Sequence, residues 1–520
     1  MKVQTKVAMK FIQKLATNSE KEVERFLKKF LPGTPFEGKI KAVGGYVRDE
    51  FLSILKNDPS IEAKDLDLVV VETKDGAEKA THFIFNHFKD VSPSPISTPR
   101  QMGQGYPIWQ ITFKEDITYK GNSFKTQGAV IEFADTMKEE YPEAESRQRV
   151  TMPGTLKEDI ARRDFTANML LKDMTTGEIE DLTGQSKKDI EKGILRGHPG
   201  VSLDKTFEDD PLRMIRCIRF QAKYGWQVPM AVIRTIKRNA HRIDIVSSER
   251  IMEELEKIMD LGKLNKAIKL MSASGLLKYV LPEIEDLKGT KQNPKWHSEG
   301  DAYRHTLMVL KEAPPGVEGQ MAALLHDVGK PSTTNLIEGE IKSHGHEEVG
   351  AEIAEAIMKR LKFDNKTTNK VKTMVKNHMR PHHLGRSTGS KAIRKFIRDV
   401  GDDMVDSILD LARADEIGKI PSTNDIPDLR KKIDEVRSKS VEVKKEPVLN
   451  GKEIMDLLKI TTGPEVGRAK KILIEIEDDY FEAGKKLTKE DARNELLKKF
   501  KKGVKKVAAE RVIRSFTQLM

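Results

Sequence analysis

Arg162-Arg163-Asp164-Phe165-Thr166-Ala167-Asn168, taken with Asp65-Leu66-Asp67 nearly a hundred residues earlier, decides the fold. On a strand, residues i and i+2 face one side. Asp65 and Asp67 therefore present two carboxylates together, while Leu66 and Leu68 point into the core. Two hard oxygen donors on one face suit Mg²⁺ and a phosphoryl-transfer chemistry, although a solvated strand end explains most isolated pairs of this kind. Two adjacent arginines entering a helix can grip a polyanion such as a triphosphate. Upstream, Gly44-Gly45-Tyr46-Val47-Arg48-Asp49 follows a short apolar run and opens a helix. Backbone amides at such a turn can approach phosphate oxygens, and Arg48, one turn in, adds a cation. A bare tight turn is the plainer alternative.

Working outward, strands are expected at Ile40 to Val43, Asp67 to Val71, Trp109 to Phe113 and Ala129 to Phe133, with a helix from about Val47 to Leu55. This is a compact α/β segment over 36–175. Glu132, on the last of these strands, is a third carboxylate by position alone, and an edge-facing glutamate fits equally well. Pro, Ser and Gly crowd residues 92–108, which predicts a mobile loop. A helical extension precedes the segment, with Met1 to Thr17 amphipathic and a break at Leu31-Pro32-Gly33-Thr34-Pro35. From about Lys187 onward the periodicity is almost wholly 3.6 residues, with breaks at Arg196–Gly200 and Gly289–Pro294. Residues 420–449, punctuated by Pro421, Pro427 and Pro447, predict a linker before a last helical segment.

A second arginine cluster is Asp209-Asp210-Pro211-Leu212-Arg213-Met214-Ile215-Arg216-Cys217-Ile218-Arg219. Pro211 suits a first helical turn, with Asp209 and Asp210 at its start. Arg213, Arg216 and Arg219 share one face and repel each other, so an anion or acidic partners must compensate. Asp210 and Arg213, at i and i+3, can offer an acceptor and donors in one plane, as reading a base edge requires. An intrahelical ion pair is the alternative.

Histidines cluster between Trp296 and His383. His305 follows Tyr303-Arg304. His326-Asp327 ends an apolar run in Ala323-Leu324-Leu325-His326-Asp327-Val328-Gly329-Lys330. His344-Gly345-His346 opens a helix, and His378 and Asp415 complete the series. Imidazole and carboxylate donors suit a transition metal or Mg²⁺, and Asp327 can bridge two ions. A buried His-Asp pair needs partners, which a metal supplies. Any one of these histidines alone is more simply a core or surface residue.

The 520 residues allow three or four domains of about 150 residues. Apolar residues (38%) suffice for real cores. The net charge of +11 favours a polyanionic partner such as RNA, with a lysine-rich solvated surface as the alternative. A single cysteine, Cys217, excludes disulfides within the chain and fits a reducing cytosol. No run of about 18 apolar residues suggests a membrane span.

In this order, the motifs resemble the class II tRNA nucleotidyltransferases, the CCA-adding enzymes, and the related bacterial poly(A) polymerases, over about residues 38–290. Ser248-Glu249-Arg250-Ile251-Met252-Glu253-Glu254-Leu255 belongs to the same series. The resemblance implies an α+β chain: a polymerase-β-like head, a mostly helical neck, and a helical tail. It implies Asp65 and Asp67 as catalytic Mg²⁺ ligands, and Gly45, Arg48, Arg162 and Arg163 around the triphosphate. Asp210 and Arg213 would select C or A, with Arg216 and Arg219 nearby and Glu249-Arg250 bracing that helix. The partners implied are a tRNA 3′ end, CTP and ATP, in the cytoplasm.

The sequence departs from the family in two places. The interval between Asp49 and Asp65 is longer, and Thr136-Met137 stand where the family often has an arginine. Residues 296–420 resemble an HD-family phosphohydrolase, fused behind such heads in one bacterial group. Its metal set is His305, His326, Asp327 and Asp415, with His346 and His378 for a second ion; His344, His382 and His383 stand outside the set. The implied divisions are 1–35, 36–175, 176–290, 291–420 and 421–520. Asn450 to Ile454 and Thr461 to Gly467 resemble the RNA-holding tail, and Lys498, Lys499, Lys501, Lys502, Lys505 and Lys506 predict a basic last helix. A poly(A) polymerase, a CC- or A-only enzyme, and a hydrolase with an RNA-binding head remain as alternatives.

Overall fold

The computed structural model describes residues 19–63, 65–103, 108–140, 150–384, 388–422, 425–440 and 448–500. The amphipathic start, Met1 to Thr17, and the lysines from Lys501 onward lie outside these residues. The chain forms two compact units. One runs through Lys288 and takes back residues 315–317 and 357–364; the other starts at Gly289. Among the described residues, no helix is long and apolar enough to cross a membrane.

The first unit is built on seven described strands: β1 (Ile40–Val43), β2 (Asp67–Val70), β3 (Arg100–Met102), β4 (Ile108–Thr112), β5 (Val130–Asp135), β6 (Leu171–Asp173) and β7 (Ile179–Glu180). Their order across the sheet is β7-β6-β1-β2-β5-β4-β3. Only the β2–β5 pair is parallel; the other neighbours run antiparallel. Ile40, Ala42, Leu68 and Val70 are at most 1% exposed, so the central strands are sealed by aliphatic side chains. Helix α1 (residues 19–30) lays Phe26 and Phe30 into an aromatic cluster with Phe88, Phe113 and Phe124.

Next come α2 (Gly45–Lys56), α3 (Gly76–Phe88), α4 (Leu156–Ala161), α5 (Ser186–Lys192), α6 (Leu203–Asp209), α7 (Leu212–Tyr224), α8 (Met230–Asn239) and α9 (Ser248–Met259). Helix α7 buries Leu212, Ile215, Cys217 and Ile218, and Arg213 with them, while Arg216 and Arg219 stay partly exposed. Asp209 closes α6 instead of opening α7, and the Asp210 carboxylate accepts from the Leu212 N–H at 3.2 Å.

The second unit contains α10 (Ala302–Glu312), α11 (Val317–Leu325) after its first residue, α12 (His346–Arg360) up to its last turn, α13 (Asn365–Asn377), α14 (Asp402–Gly418), α15 (Ile426–Ser440), α16 (Gly451–Leu458) and α17 (Pro464–Glu482). Asn450 caps α16 in a reciprocal box with Glu453. Leu449, Ile454, Leu473, Ile476 and Leu496 form the tail's own core.

Four expectations change. Asp65 is not on the strand: β2 starts at Asp67, and Asp65 sits before it with φ 60°. Aspartate is among the few L-residues that enter this left-handed region readily. The segment read as a loop over 92–108 contributes edge strand β3 and a bridge between Ile96 and Phe113. The helical half contains a hairpin, Thr334–Ile337 with Glu340–Ser343. Its two-residue turn, Glu338-Gly339, has positive φ at both positions, as a type I′ turn demands. Finally, half of the predicted linker over 420–449 is helix α15. Ile426, Leu429, Ile433 and Val436 form a buried stripe that outweighs the neighbouring prolines.

Candidate active sites

In the first unit, parallel pairing sets Asp67 of β2 directly beside Glu132 of β5. Gln110 of β4 stands opposite Glu132 and donates to it at 3.1 Å. Asp65 and Asp67 both line one open cleft of about 1080 Å³. The Asp67 side chain opens onto solvent in the cleft but has protein mass around it. Burial first, then the like charges of Glu132 and Asp65, push its carboxyl up to about 6; Arg163 offsets this only in part. Surplus negative charge on hard oxygen donors fits a divalent cation.

The same cleft is lined by Gly44, Gly45, Arg48, Arg162, Arg163, Asp210, Arg213, Arg216 and Arg219. Gly44 has φ 72°, which only glycine adopts without cost. A Cβ built on it would lie 3.7 Å from Arg163 Nη1, so the turn and that guanidinium are neighbours. Arg48 is buried. Its Nε donates to Asp49 at 2.8 Å and its Nη1 to Asn168 Oδ1. Its guanidinium lies over the rings of Phe220 (5.3 Å) and Tyr224 (4.9 Å). Asp49 in turn accepts from the Tyr224 hydroxyl at 2.7 Å. The glycine turn is thereby locked to α7.

Arg162 and Arg163 share a fully buried partner, Asp159, on α4. Asp159 Oδ1 accepts from Arg162 Nε at 3.0 Å and Nη2 at 2.7 Å, and Oδ2 from Arg163 Nη2 at 3.0 Å. Burial alone would raise this carboxyl; Arg163 and Arg162 hold it below the usual range. Glu139 accepts from Arg162 Nη1 at 2.9 Å. Arg163 Nε is buried and has no hydrogen-bond partner among the described residues.

The arginine row of α7 is compensated by acidic and carbonyl partners within the unit. Arg213 donates to the carbonyls of Thr206 (3.1 Å) and Arg162 (2.6 Å), so the intrahelical pair with Asp210 does not form. Arg216 donates to Asp164 at 2.8 Å, and Arg219 to Glu254 on α9. Asp164 is desolvated, yet Arg216 and Asn168 bring its carboxyl down to about 2. Asp210 pairs with Arg250 at 2.9 Å. Sequence reasoning missed Asp159 and Glu139, and gave no role to Asn168 and Glu254 although both stood within its motifs. Of the two missed, Asp159 carried a local signal, standing three and four residues before the two arginines.

In the second unit, helices α10 to α14 bring together every residue of the predicted histidine set. His305, His326, Asp327, His378 and Asp415 are at most 1% exposed, and His346 is 7%. Nδ1 of His326, His346 and His378 lies 2.8, 2.8 and 2.7 Å from the carbonyls of Ala323, Ser343 and Val375. A carbonyl only accepts, so each Nδ1 carries a hydrogen, and in the neutral ring each Nε2 is then a lone pair. These Nε2 atoms converge: those of His346 and His378 are 3.3 Å apart, and that of His326 is buried without a hydrogen-bond partner among the described residues. Ligand atoms of His305, His326 and Asp415 form one compact group, and those of Asp327, His346 and His378 a second. Asp327 reaches towards both, with Oδ2 3.2 Å from His326 Nε2 and Oδ1 3.4 Å from His346 Nε2. Facing lone pairs with no proton between them fit metal ions.

His305 differs from the other three, because its Nδ1 faces Glu299 at 3.1 Å and its Nε2 faces Asp415 at 2.9 Å. Burial would lower its pKa; Asp415 and Glu299 raise it. His382, which the sequence reading set aside, lies 2.8 Å from Asp415. Lys330 and Lys419 also meet the two aspartates, at 2.6 and 2.7 Å.

Comparison with known proteins agrees with this division. A family model for the poly A polymerase head domain matches residues 40–196. A second, described as a probable RNA and SrmB-binding site of polymerase A, matches 227–288. An HD domain matches 316–419. The CC-adding tRNA nucleotidyltransferase of Thermus thermophilus is 32% identical over 358 residues, covering 66% of this chain and 78% of that protein. A multifunctional CCA protein of Neisseria gonorrhoeae is 29% identical over 326 residues, covering 62% and 68%. Among solved structures, the Bacillus stearothermophilus CCA-adding enzyme in complex with CTP shares the fold. Its TM-score is 0.56 at 18% identity, over 90% of this chain and 94% of that one.

Proposed function

We propose, because the chain belongs to the tRNA nucleotidyltransferase family, that it adds C, C and A to tRNA 3′ ends from CTP and ATP. One observation carries the reading. Asp65 and Asp67, beside Glu132, open onto the same cleft as Arg163 and the Asp210–Arg213 helix start. Phosphate chemistry and base choice thus have one chamber.

In this reading the terminal hydroxyl of tRNA attacks the α-phosphate in line and pyrophosphate leaves. Divalent ions, Mg²⁺ by the chemistry of the donors, would be held by Asp65 and Asp67, with Glu132 as third carboxylate, and would supply charge neutralisation and hydroxyl activation. Gly45 and its neighbour Gly44 let backbone approach the triphosphate, Arg163 offers its guanidinium beside that turn, and Arg48 holds the turn. Asp210 and Arg213 meet the base edge, flanked by Arg216 and Arg219. Residues 36–175 act as head, 176–290 as neck and 421–520 as RNA-holding tail. The single buried cysteine fits a reducing compartment, and we infer a cytoplasmic location.

Residues 291–420 form a second, phosphohydrolase active site in this reading. His305, His326, Asp327 and Asp415, with His346 and His378, would hold a divalent metal that polarises a phosphate ester and activates water. Convergence of unprotonated Nε2 atoms on Asp327 supports it.

The test is incorporation of labelled CTP and ATP onto tRNA lacking its 3′ end, resolved at single-nucleotide length. A stop after C, C and A establishes the reading. A stop after two C residues makes the chain a partial enzyme, an outcome favoured by Thr136-Met137 and by the CC-adding name of the Thermus relative. A long A ladder makes it a poly(A) polymerase, and no incorporation leaves only the hydrolase.

A further inference from the structure

The paired arginines look interchangeable in sequence, yet their surroundings separate them. Three of the Arg162 donor nitrogens are engaged: Nε and Nη2 by Asp159, and Nη1 by Glu139. Both carboxylates have almost no exposed surface, at 0% and 3% of their side chains. Arg162 also gives its backbone carbonyl to Arg213 Nη2 at 2.6 Å. Arg163 has one bond to Asp159, a buried Nε with no hydrogen-bond partner among the described residues, and Gly44 as its neighbour.

We propose that Asp159 and Arg162 are positioning residues that fix the triphosphate ligand Arg163 and the base-reading Arg213 as one rigid piece, with Arg162 itself making no phosphate contact. The inference rests on the nucleotidyl-transfer reading above. Asp159 reaches both ends of the nucleotide through different atoms. Oδ2 sets the Arg163 guanidinium directly, and Oδ1 anchors Arg162, whose carbonyl holds Arg213. A carboxylate that holds two guanidiniums in fixed planes does what neither backbone turn nor packing alone enforces, because an arginine fork binds in one geometry. Displacement of this carboxylate therefore shifts triphosphate binding and base choice together.

The experiment uses the full chain on tRNA lacking its 3′ end and determines kcat and KM for CTP and ATP, together with misincorporation of UTP and GTP. Asp159→Asn is expected to raise KM for both correct nucleotides on the order of tenfold, and to raise misincorporation by a similar factor. Arg162→Lys decides between the two roles. A phosphate-binding Arg162 would tolerate the retained charge, whereas a positioning Arg162 loses its fork and reproduces Asp159→Asn.

Glu139→Gln is the gentler third variant, for the case in which Asp159→Asn melts below the assay temperature. It should show the same paired change at smaller amplitude. A fall in active fraction and melting temperature with unchanged KM and unchanged misincorporation refutes the proposal, as does a rise in KM without loss of base choice. Wild-type protein with no incorporation at all refutes the nucleotidyl-transfer reading instead, so the two failures are distinct.

Discussion

Asp67→Asn should make the metal-free protein more stable while abolishing nucleotide addition. The Asp67 carboxyl rises from an ordinary 3.8 to about 6, through burial and the charges of Glu132 and Asp65. A carboxyl raised in the folded state is a destabilising charge. The cost is absent below about pH 4, grows as pH rises through the window to about 6, and is complete above it. A rise of that size would correspond to about 3 kcal/mol for a fully desolvated group. The side chain opens onto the cleft, however, and water screens it, so about 1 kcal/mol is the working figure. In a unit of roughly 300 residues this is a melting shift of about 1–2 °C.

The assay is thermal unfolding in chelator at pH 8 and again at pH 4. The variant is expected to melt higher than wild type at pH 8 and level with it at pH 4. Added Mg²⁺ should raise the wild-type midpoint at pH 8 and leave the variant nearly unmoved. A variant that melts below wild type in chelator at pH 8 would show that Asp67 is compensated by something other than a cation, and the cation reading of this cleft would fail.

Three other perturbations address separate parts of the molecule. Glu254→Gln removes the charge facing Arg219 and, at 3.8 Å, Arg216. The lost buried pair should cost about 3 kcal/mol and loosen the choice between C and A, as read by calorimetry and a misincorporation assay. Asp327→Asn should abolish divalent-metal retention by the histidine cluster, measured by elemental analysis after gel filtration, and remove phosphatase activity with CCA addition intact; retained metal would refute the bridging role. Ile433→Ala, at a side chain with no exposed surface, should destabilise the second unit by about 2–4 kcal/mol. A neutral result would mean that α15 is not part of its core.

What was legible in the sequence was local. β1 and β2, the glycine turn and the helix after it follow from aliphatic runs and glycine at fixed spacing. The histidine cluster was legible because so many ligand-type side chains near one apolar run have few other uses. What escaped was either non-local or masked by punctuation. Asn168 finds Arg48 across 120 residues, and Glu254 meets Arg219 across 35. No periodicity encodes such partners. α15 was hidden by Pro421 and Pro427, although its stripe from Ile426 to Val436 was present in the letters. Asp65 was read as strand because Asp-x-Asp fits period two, yet its carboxylate reaches the cleft through a left-handed residue instead.

The fate of the arginine row on α7 bears on how this cleft achieves affinity. Three guanidiniums on one face suggest a grip for a polyanion. Yet Arg216 and Arg219 are neutralised by Asp164 and Glu254, and Arg213 is bound to two carbonyls. An arginine already held in a planar fork loses little freedom when a base docks against it, and presents its remaining N–H groups in a fixed direction. The row is thus a frame for shape and hydrogen-bond recognition more than a source of attraction. Under the proposed reading, attraction for the triphosphate falls to Arg163 and to cations at Asp65 and Asp67. The proposed function thereby gives discrimination between bases and affinity for phosphate to different arginines, and Arg162, with Asp159 behind it, is the covalent neighbour of one and the hydrogen-bond partner of the other.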